Sequence, residues 1–233
     1  MPDNDETAYD LLLRLHGKDL TVGSMLESMN INMQPGKVYE LVGDIGTGKT
    51  QVCYSITASE LHRSPECSVV WIGAKTLRTE HLLCHLKNEN DLDRVVCATA
   101  IDDKELDDIV TKLQGKLSKM DVSLVIVEDI ATILHDVTWS NARERIRRQK
   151  EIIKSFQQLI ADDVVLLTTN HTTVKEHAVP MMGEYWLQAL LKTRMLIHVD
   201  EENPNVRVLA VRNEDGSASC SRFKISNTGL VEA

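Results

Sequence analysis

The chain lacks every mark of export or membrane insertion. It begins MPDNDETAYD, acidic and polar where a signal peptide is basic and then apolar, and no uncharged apolar run approaches the roughly 18 residues that a membrane span requires. A soluble, intracellular protein is expected. Cysteine is scarce: Cys53, Cys67, Cys84, Cys97 and Cys220 are odd in number, scattered and without a C-x-x-C pair. That pattern argues against a disulfide framework or a zinc ribbon, and the thiols read as small core residues in a reducing compartment. An excess of positive charge is missing too. With 26 Lys and Arg against 35 Asp and Glu, the net charge of -9 makes the surface as a whole repel polyanions, so any contact with nucleic acid or membrane falls to a local patch. There is no repeat, no low-complexity tract and no dividing linker. At 233 residues and 42 % apolar, the chain is long enough for one large core and too short for two full domains.

What is present is a series of short apolar runs. Residues Val38 to Val42, Ser68 to Ile72, Arg94 to Ala98, Ser123 to Val127 and Val164 to Leu167 show no alternation, the mark of strands buried on both faces in a parallel sheet covered by helices. Helical signals lie between them. Leu106, Ile109, Val110, Leu113 and Leu117 form a stripe over Lys104 to Leu117, with Asp102 and Glu105 spaced as a capping box. Asn141 and Glu144 give the same signal ahead of Ile146, Ile153, Phe156 and Ile160. The order βαβα predicts an α/β fold. Met195 to Val199, Val206 to Val211 and Ser219 to Ile225 are separated by turn signals at Pro204, Asp215-Gly216 and Asn227-Thr228-Gly229, and read as an antiparallel meander that extends the sheet. Tyr9, Leu12, Leu13 and Leu20 suggest a short amphipathic helix, so residues 1–20 read as an acidic tail with that helix and residues 21–233 as the core.

The stretch GDIGTGKT fits G-x-x-x-x-G-K-[ST] in the strand-loop-helix setting the motif needs, with the helix running from Gln51 to Leu61. With glycine near 7 % of average composition, a chance match in such a chain is roughly a one-in-a-hundred event. Gly43, Asp44, Ile45, Gly46, Thr47 and Gly48 would curl so that backbone N–H groups and the helix N-terminus face the phosphates of ATP. Lys49 would reach the β- and γ-phosphates, Thr50 would ligate Mg²⁺, and Gln51 follows at the helix start. A degenerate loop that no longer holds nucleotide is the alternative. Glu128 and Asp129 close the run SLVIVED at the C-terminal end of a parallel strand, where ligands collect in open α/β sheets, and are candidate Mg²⁺ ligands. A solvated strand end is their plainer reading. His81, Cys84 and His85 share a helix face, but no further ligand converges, so a packed or surface helix is favoured over a metal site.

Taken together, GKTQVCYSI, SLVIVEDIATIL, VVLLTTNH and the ending from ALLKTRMLIHV to ISNTGLVEA resemble the eukaryotic RecA-type (Rad-family) recombinases and their paralogues over about residues 7–233. ETAYDLLLRLHGK and a late WLQALLKTRM, without a helical N-terminal domain, look most like the short X-ray-repair cross-complementing branch of the paralogues. The resemblance implies a RecA-like P-loop ATPase core. It implies a nuclear subunit, partnered by other paralogues, that assists recombinase filaments on single-stranded DNA in homologous recombination, DNA repair and replication-fork protection. It also places Arg63 near the adenine and His171 where relatives have the glutamine that senses the γ-phosphate; a surface arginine and a tolerated polar residue are the plain alternatives. No phenylalanine-x-x-alanine segment precedes the core, which implies a chain that accepts a neighbour on one face without propagating a polymer.

The departures from the family pattern carry as much weight. Where relatives have Y-I-D-T-E-G-T-F-R-P, this chain has WIGAKTLRTEHL, so Gly73 replaces the aspartate and Lys75 falls at the glutamate that orients the attacking water. A protonated lysine cannot accept that proton, and losing a general base typically costs 10² to 10⁴ in rate. ATP binding with weak or absent hydrolysis, and no catalytic residue, is expected. Glu128 stands where most relatives have aspartate, and Asp129 where they have serine. In NARERIRRQKEIIK, residues 141–154, Arg143, Arg145, Arg147, Arg148 and Lys150 are candidate contacts to DNA phosphates, and Trp139 could stack on an unpaired base. A solvated helix face whose arginines pair with acids is the alternative. Met181, Met182, Tyr185 and Trp186 read either as an apolar cluster facing a partner or as ordinary packing. The competing functions are an active DNA-stimulated ATPase, a P-loop kinase with residues 143–148 as an arginine-rich lid, and a scaffold with an empty site.

Overall fold

Strand ends at one edge of a parallel sheet gather whatever the chain binds, so the order of the strands decides which residues can meet. The computed structural model describes residues 20–21, 32–117, 120–135, 141–161, 163–172, 180–182, 186–212, 218–226 and 229–233. A two-stranded antiparallel ribbon pairs β1 (Leu20–Thr21) with β2 (Asn32–Met33). Then come β3 (Val38–Gly43), α1 (Lys49–Arg63), β4 (Ser68–Gly73), α2 (Thr79–Leu83), a 3-10 turn (Glu89–Arg94), β5 (Val95–Thr99), α3 (Asp103–Leu117) and β6 (Val122–Glu128). The chain continues through α4 (Ile130–Ile133), α5 (Ala142–Ile160), β7 (Val165–His171), β8 (Leu191–Val199), β9 (Val206–Arg212), β10 (Ala218–Ser226) and β11 (Gly229–Glu232). One sheet takes the order β11-β10-β9-β8-β3-β7-β6-β4-β5. The strands from β8 to β5 in that order run parallel, and β8, β9, β10 and β11 pair antiparallel.

The non-alternating runs are buried on both faces, as their composition requires. Val69, Trp71, Leu124 and Ile126 point to one side and pack with Val52, Cys53 and Ile56 of α1. Their neighbours Val70, Ile72, Val125 and Val127 point to the other, against Leu106, Val110 and Leu113 of α3 and Ile152, Phe156 and Leu159 of α5. The expected caps are in place: Asp102 Oδ1 accepts from the Glu105 N–H at 2.8 Å, and Asn141 Oδ1 from the Glu144 N–H at 3.0 Å. The end of α1 is closed by Arg94, whose guanidinium donates to the carbonyls of Leu61 (2.6 Å), Ser64 (2.9 Å) and Cys67 (2.9 Å).

Several expectations need correction. The run from Arg94 to Ala98 is β5, an edge strand covered on one flank only, and Val96 is 39 % exposed. Cys53 and Cys67 are core residues, whereas Cys84 just past α2, Cys97 in β5 and Cys220 in β10 are exposed. Leu20 lies in β1 instead of a helix; Tyr9, Leu12, Leu13 and the tail up to residue 19 fall outside the described residues. Among the described residues no helix is long and apolar enough to cross a membrane.

Candidate nucleotide site

The site forms where four parallel strands end side by side. Gly43 at the end of β3 is in register with His171 at the end of β7, and Gly73 at the end of β4 with Glu128 at the end of β6. The loop that leaves β3 depends on glycine. A Cβ on Gly43 would stand 2.3 Å from the Ile197 carbonyl oxygen, and Gly48, with φ 101, occupies the left-handed region that a side chain resists. α1 starts at Lys49 with no side chain capping its first N–H groups, and nothing lies within 4 Å of the position a Gly46 Cβ would take. Open space in front of unpaired helix donors fits phosphate oxygens.

Lys49 is buried at this point. Its ammonium donates to the carbonyls of Gly43 (2.8 Å) and Asp44 (2.9 Å) and lies 3.2 Å from His171 Nδ1. Burial pulls its pKa below the ordinary lysine value, against the opposing charges of Asp129, Cys53, Asp44 and Glu128. Behind it, His171 Nε2 stands 2.9 Å from Asp129 Oδ1. Asp129 adopts φ 56, unusual for a residue with a side chain, and its N–H donates to Thr169 Oγ1 at 2.8 Å. Burial pushes the Asp129 carboxyl up, but hydrogen bonds from His171 and Thr132 outweigh it and hold the group below the usual carboxylate range.

Glu128 accepts from the Thr50 hydroxyl and, at 3.2 Å, from Trp71 Nε1. A hydroxyl and one carboxylate are what a Mg²⁺ ion needs from the protein when phosphates complete its shell, so Thr50 and Glu128 fit that cation. Asp129 is turned toward His171 instead. Among the described residues no three His, Cys, Asp or Glu side chains converge as a metal cluster. The cleft in front of Thr50 has a volume of about 330 Å³, and its walls include Gln51, Tyr54, Lys75, Arg78 and His81. Lys75 is exposed there.

Arg63 is not brought to this cleft. It sits 14 positions beyond Lys49 on α1, roughly 21 Å along the axis at about 1.5 Å per residue, and its guanidinium is held by buried Glu60 at 2.8 Å. Arg78 and His81 line the cleft instead, and neither was singled out for this role from the sequence. Their signal was proximity to Lys75 in WIGAKTLRTEHL, just past a strand end. His81 on α2 and Cys84 and His85 just after it do not converge: His85 Nε2 pairs with Gln51 Oε1 at 2.9 Å, and Cys84 faces solvent.

Comparison with known proteins places these features. The sequence profile of the Rad51 family matches residues 19–193. The chain belongs to the Rad51 family. It is 34 % identical over 236 residues to RAD51-like protein 1 of Caenorhabditis elegans, covering 97 % of this chain and 94 % of that protein. The Caenorhabditis briggsae protein of the same name is 34 % identical with the same coverage. DNA repair protein RAD51 homolog 4 of Mus musculus is 25 % identical over 199 residues, 77 % of this chain and 60 % of that protein. The fold is accordingly the RecA-like core of a Rad51-family recombinase paralogue, and the family is one of ATP-binding proteins connected with recombination and repair.

On this Rad51-family frame the basic segment is part of α5, and its charges are divided. Arg147 pairs with Glu144 and with Glu151, both at 2.6 Å, and Arg148 pairs with Glu144 at 2.9 Å and with Asp103 of α3 at 3.2 Å. These guanidiniums hold the exposed Glu144 carboxyl down at about 2. Arg147 and Arg148 therefore realise the ion-paired alternative, while Arg143, Arg145 and Lys150 lie outside those pairs. A continuous helix from Ala142 to Ile160 is also a poor lid, which weakens the kinase alternative. Met182 and Trp186 are core residues, 4 % and 5 % exposed, packed under α5, so the partner-facing reading fails for them. Trp139 and Tyr185 lie outside the described residues.

Proposed function

We propose that this Rad51-family chain is an ATP-binding accessory subunit that grips nucleotide with little or no turnover. In this reading it assists assembly or persistence of recombinase filaments on single-stranded DNA. The observation that carries the reading is a complete phosphate loop beside a cleft in which Glu128 is already held and a lysine stands on the wall. Glu128 is held by Thr50 and Trp71, Asp129 stands against His171, and the wall also carries the cation Lys75. Residues Gly43 to Gln51 would hold the phosphates, and Thr50 with Glu128 the Mg²⁺. Bound ATP with Mg²⁺ would supply the negative charge that draws the loop, Lys49 and Lys75 together. Lys75 adds attraction but no base, so an attacking water would find no acid at the wall position where the resemblance puts the family glutamate.

The partners in this reading are other paralogue subunits and the recombinase itself, in the nucleus. It agrees with relatives that bear the names of RAD51-like and DNA repair proteins. DNA would be met through the complex, with Arg143, Arg145 and Lys150 adding sequence-independent phosphate contacts that fade with salt. The test follows fluorescent recombinase on single-stranded DNA with and without this chain and its co-purifying partners. Longer-lived or faster-forming filaments are expected with the wild type and ATP, and the effect should vanish with Lys49→Ala. Identical filament kinetics with and without the wild-type chain would refute the accessory role.

A further inference from the structure

Two of the departures from the family pattern touch each other. Asp129 stands where relatives have serine and His171 where they have glutamine, 42 positions apart in sequence, yet His171 Nε2 and Asp129 Oδ1 are 2.9 Å apart. On its other side the imidazole faces Lys49 Nζ at 3.2 Å. An ammonium has donors only, so Nδ1 is the acceptor in that contact and the ring proton sits on Nε2, the nitrogen that stands 2.9 Å from Asp129 Oδ1. The lysine thus has its donors directed to three acceptors, Gly43 O, Asp44 O and His171 Nδ1, with the Asp129 carboxylate close behind the ring.

We propose that Asp129 and His171 form a positioning dyad for the phosphate-loop lysine, and that Asp129 takes no part in holding a divalent cation. This rests on the nucleotide reading of the site. The arrangement of the carboxylates supports it. Glu128 faces the Thr50 hydroxyl, the side on which a metal would join the phosphates, while Asp129 is fixed in a left-handed conformation (φ 56) with its N–H held by Thr169. A Ser–Gln pair at these positions would bring neither a carboxylate nor a ring to this place, and a glutamine would offer Lys49 an amide oxygen on a flexible side chain in place of the imidazole nitrogen. The end of β7 is thereby tied to the placement of Lys49.

The test has two arms. In the first, affinity for a fluorescent triphosphate nucleotide is measured for the wild type, Asp129→Ser, Asp129→Asn, His171→Gln and the Ser–Gln double variant, each in Mg²⁺ and in EDTA. Asp129→Ser and His171→Gln are each expected to weaken binding about tenfold, the scale of one hydrogen bond to a charged group. The loss should be equal in Mg²⁺ and EDTA, and the double variant should be no worse than the weaker single one. Asp129→Asn, which keeps the acceptor oxygen and tolerates the left-handed backbone, should retain most of the affinity. A defect in Asp129→Ser that disappears in EDTA, or losses that add in the double variant, would overturn the dyad. The second arm needs no nucleotide. ¹⁵N imidazole shifts of His171 in the free protein should report the Nε2–H tautomer in the wild type and its loss in Asp129→Ser, with circular dichroism confirming the fold. An unchanged tautomer in that variant overturns the proposal even if nucleotide binds, whereas a wild type that binds no nucleotide overturns the reading of the site and leaves this arm to decide the contact.

Discussion

Replacing Lys49 by alanine is expected to lower affinity for a triphosphate nucleotide by at least about 100-fold, the loss of roughly 3 kcal/mol of charge-assisted contact. The size follows from the surroundings. Lys49 is buried, so its interactions with phosphate would be screened far less than those of a surface lysine. Burial also means that the charge is held against a desolvation cost, which an anion at the loop would offset. The fold should survive, because the carbonyl of Asp44 left without an ammonium belongs to an exposed loop residue. Lys49→Arg should recover little, since a planar fork cannot occupy the place of a compact point charge. Titration calorimetry with ATP checks both variants. Affinity unchanged in Lys49→Ala would mean that the loop is a structural turn.

The largest effect on stability is expected at a residue that looks unremarkable in the sequence. Glu40 lies in the middle of β3 with 0 % exposure and accepts from Asn170 Nδ2 (2.9 Å), Trp186 Nε1 (2.9 Å) and Arg194 Nε (2.6 Å). Glu40→Ala would leave the guanidinium and two further donors facing a cavity. Removing one partner of a buried pair typically costs about 3–5 kcal/mol. In a domain of this size that lowers the melting temperature by roughly 10–15 °C. A paired replacement of Glu40 and Arg194 by leucine and methionine should recover much of the loss, because the cost lies in the uncompensated charge. Thermal unfolding followed by circular dichroism separates the two outcomes, and a shift of Glu40→Ala smaller than about 3 °C would contradict the network. The network also joins three strands just below the nucleotide site. Asn170 immediately precedes His171, so part of the loss should be read in the phosphate loop as well as in the melt.

The parts of the fold that composition controls were legible. Runs of Val, Ile and Leu without alternation became the interior parallel strands, and the loop motif delivered residues 43–51 as one continuous structure. The misreadings have local physical reasons. β8 begins at Leu191, four residues before the apolar run at Met195, because Arg194 is held by Glu40 and a charged residue broke the apolar pattern. Gly229 was read as turn, yet after a left-handed φ of 107 it opens β11, paired with β10. Arg63 was set near the adenine by the family resemblance alone, and in the structure it lies at the far end of α1, held by Glu60. The ion pairs of Arg147 and Arg148 with Glu144 follow from helical spacing and were legible in principle, whereas the contact with Asp103 depends on the packing of α3 against α5. The Asp129–His171 contact was hidden for the same reason: only the β6–β7 pairing brings those strand ends together.

The central claim, a grip on nucleotide without ordinary turnover, is tested most directly by the fate of the bound nucleotide. The chain with its partners is loaded with radiolabelled ATP and Mg²⁺, mixed with single-stranded DNA, quenched at intervals and assayed for ATP and ADP on the protein. About one nucleotide per chain, still largely triphosphate when an ordinary ATPase would have completed many turnovers at roughly 1–10 per second, is the predicted result. Multiple-turnover conversion to ADP on that timescale, unaltered by substitution of Lys75, would contradict it.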